Sequence, residues 1–117
     1  MVLILGGVRA GKRTFARSMG YSDADISDDP SSDRPVLDAL ESAVRRDPAS
    51  ADALLPLLKN KQVVICCEVG SGVVPLDPKE RAWREAVGRL ACALAKEADA
   101  VVRVTAGIPV LLKGELP

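Results

Sequence analysis

Glycines and a lysine near the start of the chain have the types and spacing of a phosphate-binding loop. The apolar stretch Met1–Leu5 leads into Gly6-Gly7-Val8-Arg9-Ala10-Gly11-Lys12-Arg13-Thr14, which has the G-x-x-x-x-G-K spacing. Glycines let backbone N–H groups turn toward phosphate oxygens, the start of the next helix adds partial positive charge, and Lys12 adds a full charge. The sequence therefore predicts that Gly6–Thr14 bind a nucleotide and that Lys12 also acts in catalysis.

The metal-binding part of this loop is altered. Such loops have Ser or Thr directly after the lysine, where the hydroxyl binds Mg²⁺. Here Arg13 occupies that position and Thr14 follows it, so Thr14 is a candidate ligand only if the helix start shifts by one residue. The remaining groups can still hold a triphosphate, so we expect the change to affect catalytic rate more than binding.

Glu68 is a second candidate catalytic and metal-binding residue. It follows the predicted buried strand Gln62–Cys67 and opens the glycine-rich segment Glu68–Pro75. Open α/β sheets form their sites in such segments, at the carboxyl ends of buried strands. Glu68 would hold Mg²⁺ through water or orient an acceptor hydroxyl. It would equally serve to cap the backbone donors of residues 69–72, and the sequence leaves both explanations open.

Two other charged clusters have a structural explanation beside a functional one. Arg81, Glu85 and Arg89 recur at i, i+4 and i+8 of a predicted helix. This spacing is typical of a solvated face with ion pairs, although an arginine there could also reach an anionic substrate. The acidic loop at residues 21–34 could present Asp28 or Asp29 to a metal, but a solvated surface loop is the simpler explanation.

The composition favours one globular domain over residues 1–117. Hydrophobic residues make up 48% of the chain, aromatic residues only 3%, and the net charge is zero. These values argue against a disordered chain and against a basic nucleic-acid binder. No apolar run approaches the ~20 residues of a membrane span, and Met1–Leu5 is too short for a signal peptide. We therefore expect a cytoplasmic protein.

The chain contains three cysteines and no histidine. Cys66, Cys67 and Cys92 lie in apolar contexts, so we expect them to be buried free thiols. The absence of histidine excludes mechanisms that need an imidazole base, nucleophile or metal ligand.

The order of predicted elements is an α/β alternation, which favours an α/β fold with a mainly parallel sheet. We predict strands at Met1–Leu5, Gln62–Cys67, Ala100–Thr105 and Pro109–Lys113, with at most a very short strand at Ile26. We predict helices at Lys12–Met19, Pro35–Arg46, from Asp47 through a break at Pro56, and Lys79–Asp99. Pro109 cannot donate to a ladder, so the sheet should be mainly parallel with a C-terminal antiparallel edge hairpin.

Four segments together resemble the adenosylcobinamide kinase / adenosylcobinamide-phosphate guanylyltransferase family. Gly6–Lys12 resembles that family's Gly-Gly-x-Arg-Ser-Gly-Lys-Ser loop, and Glu68–Pro75 is similar to its Glu-Val-Gly-x-Gly-Ile-Val-Pro segment. Arg84-Glu85-x-x-Gly88-Arg89 fits its Arg-(Asp/Glu)-x-x-Gly-Arg pattern, and Ala106–Lys113 resembles its terminal segment. The similarity covers Met1–Arg17 and Gln62–Lys113 in the same order.

The resemblance implies a P-loop NTPase-like three-layer α/β fold and a role in cobalamin biosynthesis, with ATP or GTP, Mg²⁺ and a corrinoid as ligands. It also implies a homo-oligomer. Full-length members phosphorylate adenosylcobinamide and then attach GMP through a guanylylated histidine. Within this chain, the substrate site or its support would include Gly70, Gly72, Pro75, Arg84 and Arg89.

The chain also departs from the family. Its middle is shorter, with no counterpart of the second strand or the histidine-bearing segment, and residues 36–40 echo the Asp-bearing middle strand only faintly. Without histidine the guanylyl intermediate cannot form, so we predict a kinase that transfers a phosphoryl group from ATP or GTP to a corrinoid alcohol. The alternatives are a catalytically degenerate module that senses nucleotide or corrinoid or pairs with a full-length enzyme, and a protein that uses the loop only for packing.

Overall fold

The computed structural model of the protein describes residues 1–69 and 77–116. The strands are β1 (Val2–Gly6), β2 (Ile26–Ser27), β3 (Val36–Leu37), β4 (Val63–Cys67), β5 (Ala100–Thr105) and β6 (Ile108–Gly114). The α-helices are α1 (Lys12–Ser18), α2 (Leu40–Arg46), α3 (Leu55–Lys59) and α4 (Pro78–Glu97). Short 3₁₀ helices cover Asp23–Asp25 and Pro48–Leu54.

The six strands form one sheet in the order β2-β3-β4-β1-β5-β6. The first five run parallel to one another, and β6 pairs with β5 in antiparallel fashion at the edge. The predicted sheet, with Pro109 on an edge strand, is therefore confirmed. Strand β1 lies between β4 and β5, with Ile4 opposite both Ile65 and Val102, so the loop after β1 leaves the centre of the sheet.

Helices cover both faces of the sheet, which confirms the three-layer fold. Successive side chains of a strand point to opposite faces, and β1 shows this directly. Leu3 packs into a core that includes Leu90 and Leu94 of α4. Ile4 packs into the other core, which contains Ala16 of α1. Each of the four large side chains in these contacts is at most 1% exposed: Leu3, Ile4, Leu90 and Leu94.

Helix α4 forms where the sequence predicts the longest helix. Asp77 caps its start by accepting a hydrogen bond from the Lys79 N–H at 2.9 Å, with Pro78 at the first helical position. The predicted apolar stripe is buried: Trp83, Val87, Leu90 and Leu94. No helix in residues 1–69 or 77–116 is long and apolar enough to cross a membrane.

The predicted helix over Pro35–Arg46 is wrong at its start. Val36 and Leu37 form strand β3, paired in parallel with β4, and helix α2 begins only at Leu40. The Pro35 carbonyl accepts the Gln62 N–H at 2.9 Å, which extends the pairing. Two apolar residues are too few to show a period of either kind, so the neighbouring strand decides their conformation. Strand β3 thus covers the first two residues of the segment 36–40, which echoes the Asp-bearing middle strand only faintly in sequence.

The three cysteines are free, but they differ in exposure. Cys66 on β4 is buried, Cys67 is half-buried and Cys92 is exposed. The expectation of buried thiols is therefore wrong for Cys92. Two residues along a helix correspond to a rotation of about 200°, so Cys92 lies on the opposite side of α4 from its buried neighbours Leu90 and Leu94.

Candidate nucleotide-binding site

The glycine loop, Asp38 and Glu68 lie at one edge of the sheet, where the parallel strands end. The loop follows β1, Asp38 follows β3 and Glu68 follows β4. The Glu68 N–H donates a hydrogen bond to the Gly6 carbonyl at 2.8 Å. The structure thus brings Glu68 next to the glycine loop, in the crevice at the carboxyl ends of the strands where α/β sheets bind ligands.

The loop has a turn conformation that its glycines permit. Gly11 directly precedes α1 with φ of +100°, a region that side chains disfavour. A side-chain carbon on Gly6 would lie 2.6 Å from the Val104 carbonyl oxygen, so β1 and β5 approach too closely there for any other residue. The Ala10 N–H donates to the Gly7 carbonyl at 3.2 Å, and the tip of the loop is exposed to solvent.

The side chain of Lys12 spans the loop and places its positive charge beside Gly7. It is the first residue of α1, and its Nζ donates to the Gly7 carbonyl at 2.5 Å. The loop borders a cavity of about 320 Å³. The lining residues are Arg9, Ala10, Gly11, Lys12, Arg13 and Asp38. Basic side chains therefore dominate this cavity, as an anion site requires.

Arg13 forms an ion pair with a carboxylate that the sequence reasoning did not assign. Its Nη1 lies 3.3 Å from Oδ2 of Asp38, and its Nη2 lies 4.0 Å from Asp23 in the acidic loop. The other oxygen of Asp38, Oδ1, accepts the Ala39 N–H at 2.7 Å. Ala39 has φ of +57°, which is uncommon for a residue with a side chain. Both carboxylate oxygens of Asp38 are thus fixed by neighbours.

A signal for Asp38 exists in the sequence. Val36-Leu37-Asp38 is an apolar pair followed by a carboxylate, as Cys66-Cys67-Glu68 is at the end of β4. The residue was missed because the apolar pair was assigned to a helix. Once β3 is recognised as a strand, the same rule that selected Glu68 also selects Asp38.

Glu68 has a partner on the other side of β1. Its Oε2 lies 2.9 Å from Nη2 of Arg103 on β5. Arg103 is the first exposed residue of an otherwise buried stretch of that strand. An arginine within an apolar strand is the sequence signal that could have indicated this ion pair. The other explanation is that Glu68 caps the backbone donors of residues 69–72, and of these residues 70–72 lie outside the described residues.

Thr14 is the third residue of α1 and is exposed. The helix begins at Lys12, immediately after Gly11. Thr14 could act as a metal ligand only if the helix began one residue later, and the structure does not show this.

A second cavity, of about 410 Å³, adjoins the first one. Its lining residues are Arg13, Ile26, Ser27, Asp28, Arg34, Asp38 and Ala39. It shares Arg13 and Asp38 with the cavity at the loop. Asp28 thus borders the site, whereas Asp29 accepts the Ser31 N–H at 2.9 Å and shapes the turn of the acidic loop.

The remaining predicted substrate residues are divided between helix α4 and the segment 70–76. Gly70, Gly72 and Pro75 lie outside the described residues. Arg84 is partly buried on α4 and Arg89 is exposed there. Arg89 lines a cavity of about 710 Å³ between α4 and the end of α2, with Arg45 and Trp83.

The thiols of β4 are not suited to nucleophilic or metal chemistry. Burial raises the pKa of Cys66 to about 12, with a further contribution from the Glu41 carboxylate. Burial also raises the pKa of Cys67, although the nearby Lys12 opposes the shift. Thiolates are the reactive and metal-binding form. In the part of the chain that the structure describes, no group of three or more His, Cys, Asp or Glu residues could hold a metal ion.

Comparison with known proteins gives one family match. The model of the family described as cobinamide kinase / cobinamide phosphate guanyltransferase matches residues 30–112. This range includes Asp38, Glu68 and α4, and the loop Gly6–Thr14 precedes it. A search of curated proteins found no match. The family match agrees with the resemblance inferred from the sequence motifs.

Proposed function

The chain belongs to the cobinamide kinase / cobinamide phosphate guanyltransferase family, and on that premise we propose that it binds ATP or GTP through Gly6–Thr14 and phosphorylates a corrinoid alcohol. The observation that carries this proposal is the cavity shared by the loop, Lys12 and Asp38. It combines groups that attract phosphate with a carboxylate that can accept a proton. The family places the protein in cobalamin biosynthesis.

The chemistry of the proposed step follows from these groups. The hydroxyl oxygen of the corrinoid alcohol would attack the terminal phosphorus as the bond to the β–γ bridging oxygen breaks. The nucleoside diphosphate would leave with that oxygen, and the hydroxyl proton would pass to Asp38. Lys12 and the loop backbone would stabilise the charge on the phosphoryl oxygens, which is the main catalytic contribution in phosphoryl transfer. The acceptor would enter from the second cavity, which also contains Asp38.

Turnover by the purified protein tests this proposal. We expect ATP or GTP to be converted to the diphosphate only when adenosylcobinamide is present, with a phosphorylated corrinoid detected by mass spectrometry. Lys12→Ala should lower kcat/KM by about 100-fold, comparable to the loss of one electrostatic donor. Lys59→Ala is the matched control, because Lys59 lies on α3 and pairs with Glu97 at 3.6 Å. Corrinoid-independent turnover, or equal rates for both variants, would refute the assignment.

A second candidate function is nucleotide or corrinoid binding without turnover. It is favoured by the two ion pairs at the site, because Arg13 neutralises Asp38 and Arg103 neutralises Glu68. Asp38 and Glu68 are thereby engaged, whereas Asp28 also borders the site. Calorimetric binding of ATP or GTP with no diphosphate formed in the presence of adenosylcobinamide would favour this function over the kinase.

We further propose that the protein is a homo-oligomer. Every residue of β6 is exposed, including Ile108, Val110, Leu111 and Leu112. Contiguous apolar surface of this kind marks interaction sites in soluble proteins. A second copy of the chain would cover it, in keeping with the assembly that the family resemblance implies.

A further inference from the structure

The position that binds the metal in a phosphate loop is occupied by a side chain that cannot bind one. The residue after the loop lysine normally offers a hydroxyl oxygen to Mg²⁺. Arg13 offers only N–H donors, and Mg²⁺ requires oxygen ligands in near-octahedral geometry. The first requirement for a magnesium site is therefore missing from the loop.

Two carboxylates that could compensate are paired with arginines, and Asp28 lines the adjoining cavity. Asp38 lies 3.3 Å from Arg13, and Glu68 lies 2.9 Å from Arg103. No group of three or more His, Cys, Asp or Glu residues that could hold a metal ion occurs in residues 1–69 and 77–116, and residues 70–76 contain no carboxylate, thiol or imidazole group. With the loop hydroxyl replaced by Arg13 and both of these carboxylates paired, the site offers Mg²⁺ fewer free oxygen ligands than a metal-binding phosphate loop does.

We propose that this site binds the polyphosphate of a nucleotide without a divalent cation, with the Arg13 guanidinium supplying the charge. This inference rests on the proposed nucleotide-binding function. In the free protein Asp38 holds the guanidinium at the wall of the cavity. A phosphate would replace Asp38 as its partner, because a guanidinium binds two phosphate oxygens at once in planar geometry.

The charges around the cavity support a metal-free ligand. Arg9, Lys12 and Arg13 line it together with the single carboxylate of Asp38. Free ATP carries more negative charge than its magnesium complex, so a cavity lined by basic residues attracts free ATP more strongly. We therefore expect added Mg²⁺ to leave the affinity for ATP unchanged or to reduce it.

Isothermal titration calorimetry with ATP, in EDTA and in excess Mg²⁺, tests this inference on the intact protein. Wild type should bind ATP in EDTA at least as tightly as in Mg²⁺. Arg13→Ser should bind ATP about 10-fold or more weakly in EDTA, since it loses a charge-assisted bidentate contact. In this variant Mg²⁺ should increase the affinity, because the added hydroxyl and the freed Asp38 are oxygen ligands.

Two further variants separate the effect of Arg13 from general changes in charge or folding. Arg17→Ser removes an arginine of the same helix that pairs with Asp23 at 2.8 Å, and it should bind ATP as wild type does in both conditions. Arg13→Lys keeps the charge without the planar fork, and we expect its affinity in EDTA to lie between those of wild type and Arg13→Ser. Circular dichroism establishes that each variant is folded.

The outcomes distinguish this inference from the function on which it rests. Binding of ATP to wild type only when Mg²⁺ is present would overturn the metal-free site and leave nucleotide binding intact. Binding in neither condition would overturn both. Equal losses of ATP affinity in Arg13→Ser and Arg17→Ser would also overturn the inference. The effect would then come from the loss of any positive charge on α1.

Discussion

Gly11 and Gly107 lie in backbone contact, although they belong to opposite ends of the sequence. A side-chain carbon on Gly11 would lie 3.2 Å from the Cα of Gly107. The Gly107 N–H also donates to the Ala10 carbonyl at 2.7 Å. The turn between β5 and β6 therefore supports the phosphate loop directly, and the shape of the loop depends on the hairpin.

We expect Gly11→Ala to destabilise the protein and weaken nucleotide binding. Gly11 has φ of +100°, and forcing a side chain into a sparsely populated backbone region costs about 1–3 kcal/mol. The new methyl group would also press on Gly107 and displace the loop from its support. Urea unfolding measures the loss of stability, and calorimetry with ATP measures the loss of affinity.

Gly88→Ala is the matched control for this prediction. Gly88 lies inside α4, and a side-chain carbon there would have open space around it. Alanine is more favourable than glycine in a helix interior by about 1 kcal/mol, so this variant should be slightly more stable than wild type. If the two glycine variants had equal stability, backbone strain at Gly11 would not be the cause.

The parts of the fold that the sequence predicted are those with long, regular patterns. The apolar stripe of α4 and the buried runs of β1, β4 and β5 extend over enough residues to show a period. Strand β3 has only two residues, and its conformation comes from pairing with β4. Because β3 was missed, so was Asp38, and Arg13 appeared as a loss rather than as one member of an ion pair.

Thiol-directed reagents should distinguish the cysteines. Cys92 is exposed and should react rapidly with iodoacetamide at pH 8. Cys66 should remain unmodified until the protein unfolds, because burial raises its pKa to about 12. At pH 8 only about one Cys66 side chain in ten thousand is then a thiolate. Mass spectrometry of digested protein reports each site. If Cys66 were modified rapidly in the folded Cys92→Ser variant, this assignment would be wrong.

The pair Arg45–Glu80 should make stability depend on acid pH. Two hydrogen bonds of 3.0 and 3.1 Å join them, and they lower the pKa of Glu80 below its ordinary value of 4.5. A lowered folded-state pKa contributes stability that is present above the unfolded pKa and is lost as pH falls through the folded value. Glu80→Gln should therefore be less stable than wild type at pH 7, and the difference should begin to shrink near pH 4.5 and vanish once the pH lies below the folded-state pKa.

A double-mutant cycle tests whether Arg45 causes this dependence. Arg45 also stacks on Trp83, with its Cζ 3.6 Å from the ring centroid, so Arg45→Met keeps an apolar side chain at that position. In the Arg45→Met background, Glu80→Gln should lose its pH-dependent effect on the free energy of unfolding. An unchanged effect there would assign the pH dependence to another group. Because Arg45 is exposed and Glu80 is only half-buried, added salt should weaken the interaction.

The exposed apolar surface of β6 predicts that one substitution will change the oligomeric state. Leu112 is 56% exposed, so Leu112→Glu should alter the stability of an isolated chain by no more than about 0.5 kcal/mol. In an assembly that covers β6 the same change would bury a charge, which is strongly unfavourable. Sedimentation velocity should therefore show an oligomer for wild type and a folded monomer for Leu112→Glu.

Leu57→Glu is the control for this prediction. Leu57 is a 42% exposed leucine on α3, so its substitution should leave the oligomer intact. Dissociation by both variants, or a monomeric wild type, would refute an interface at β6.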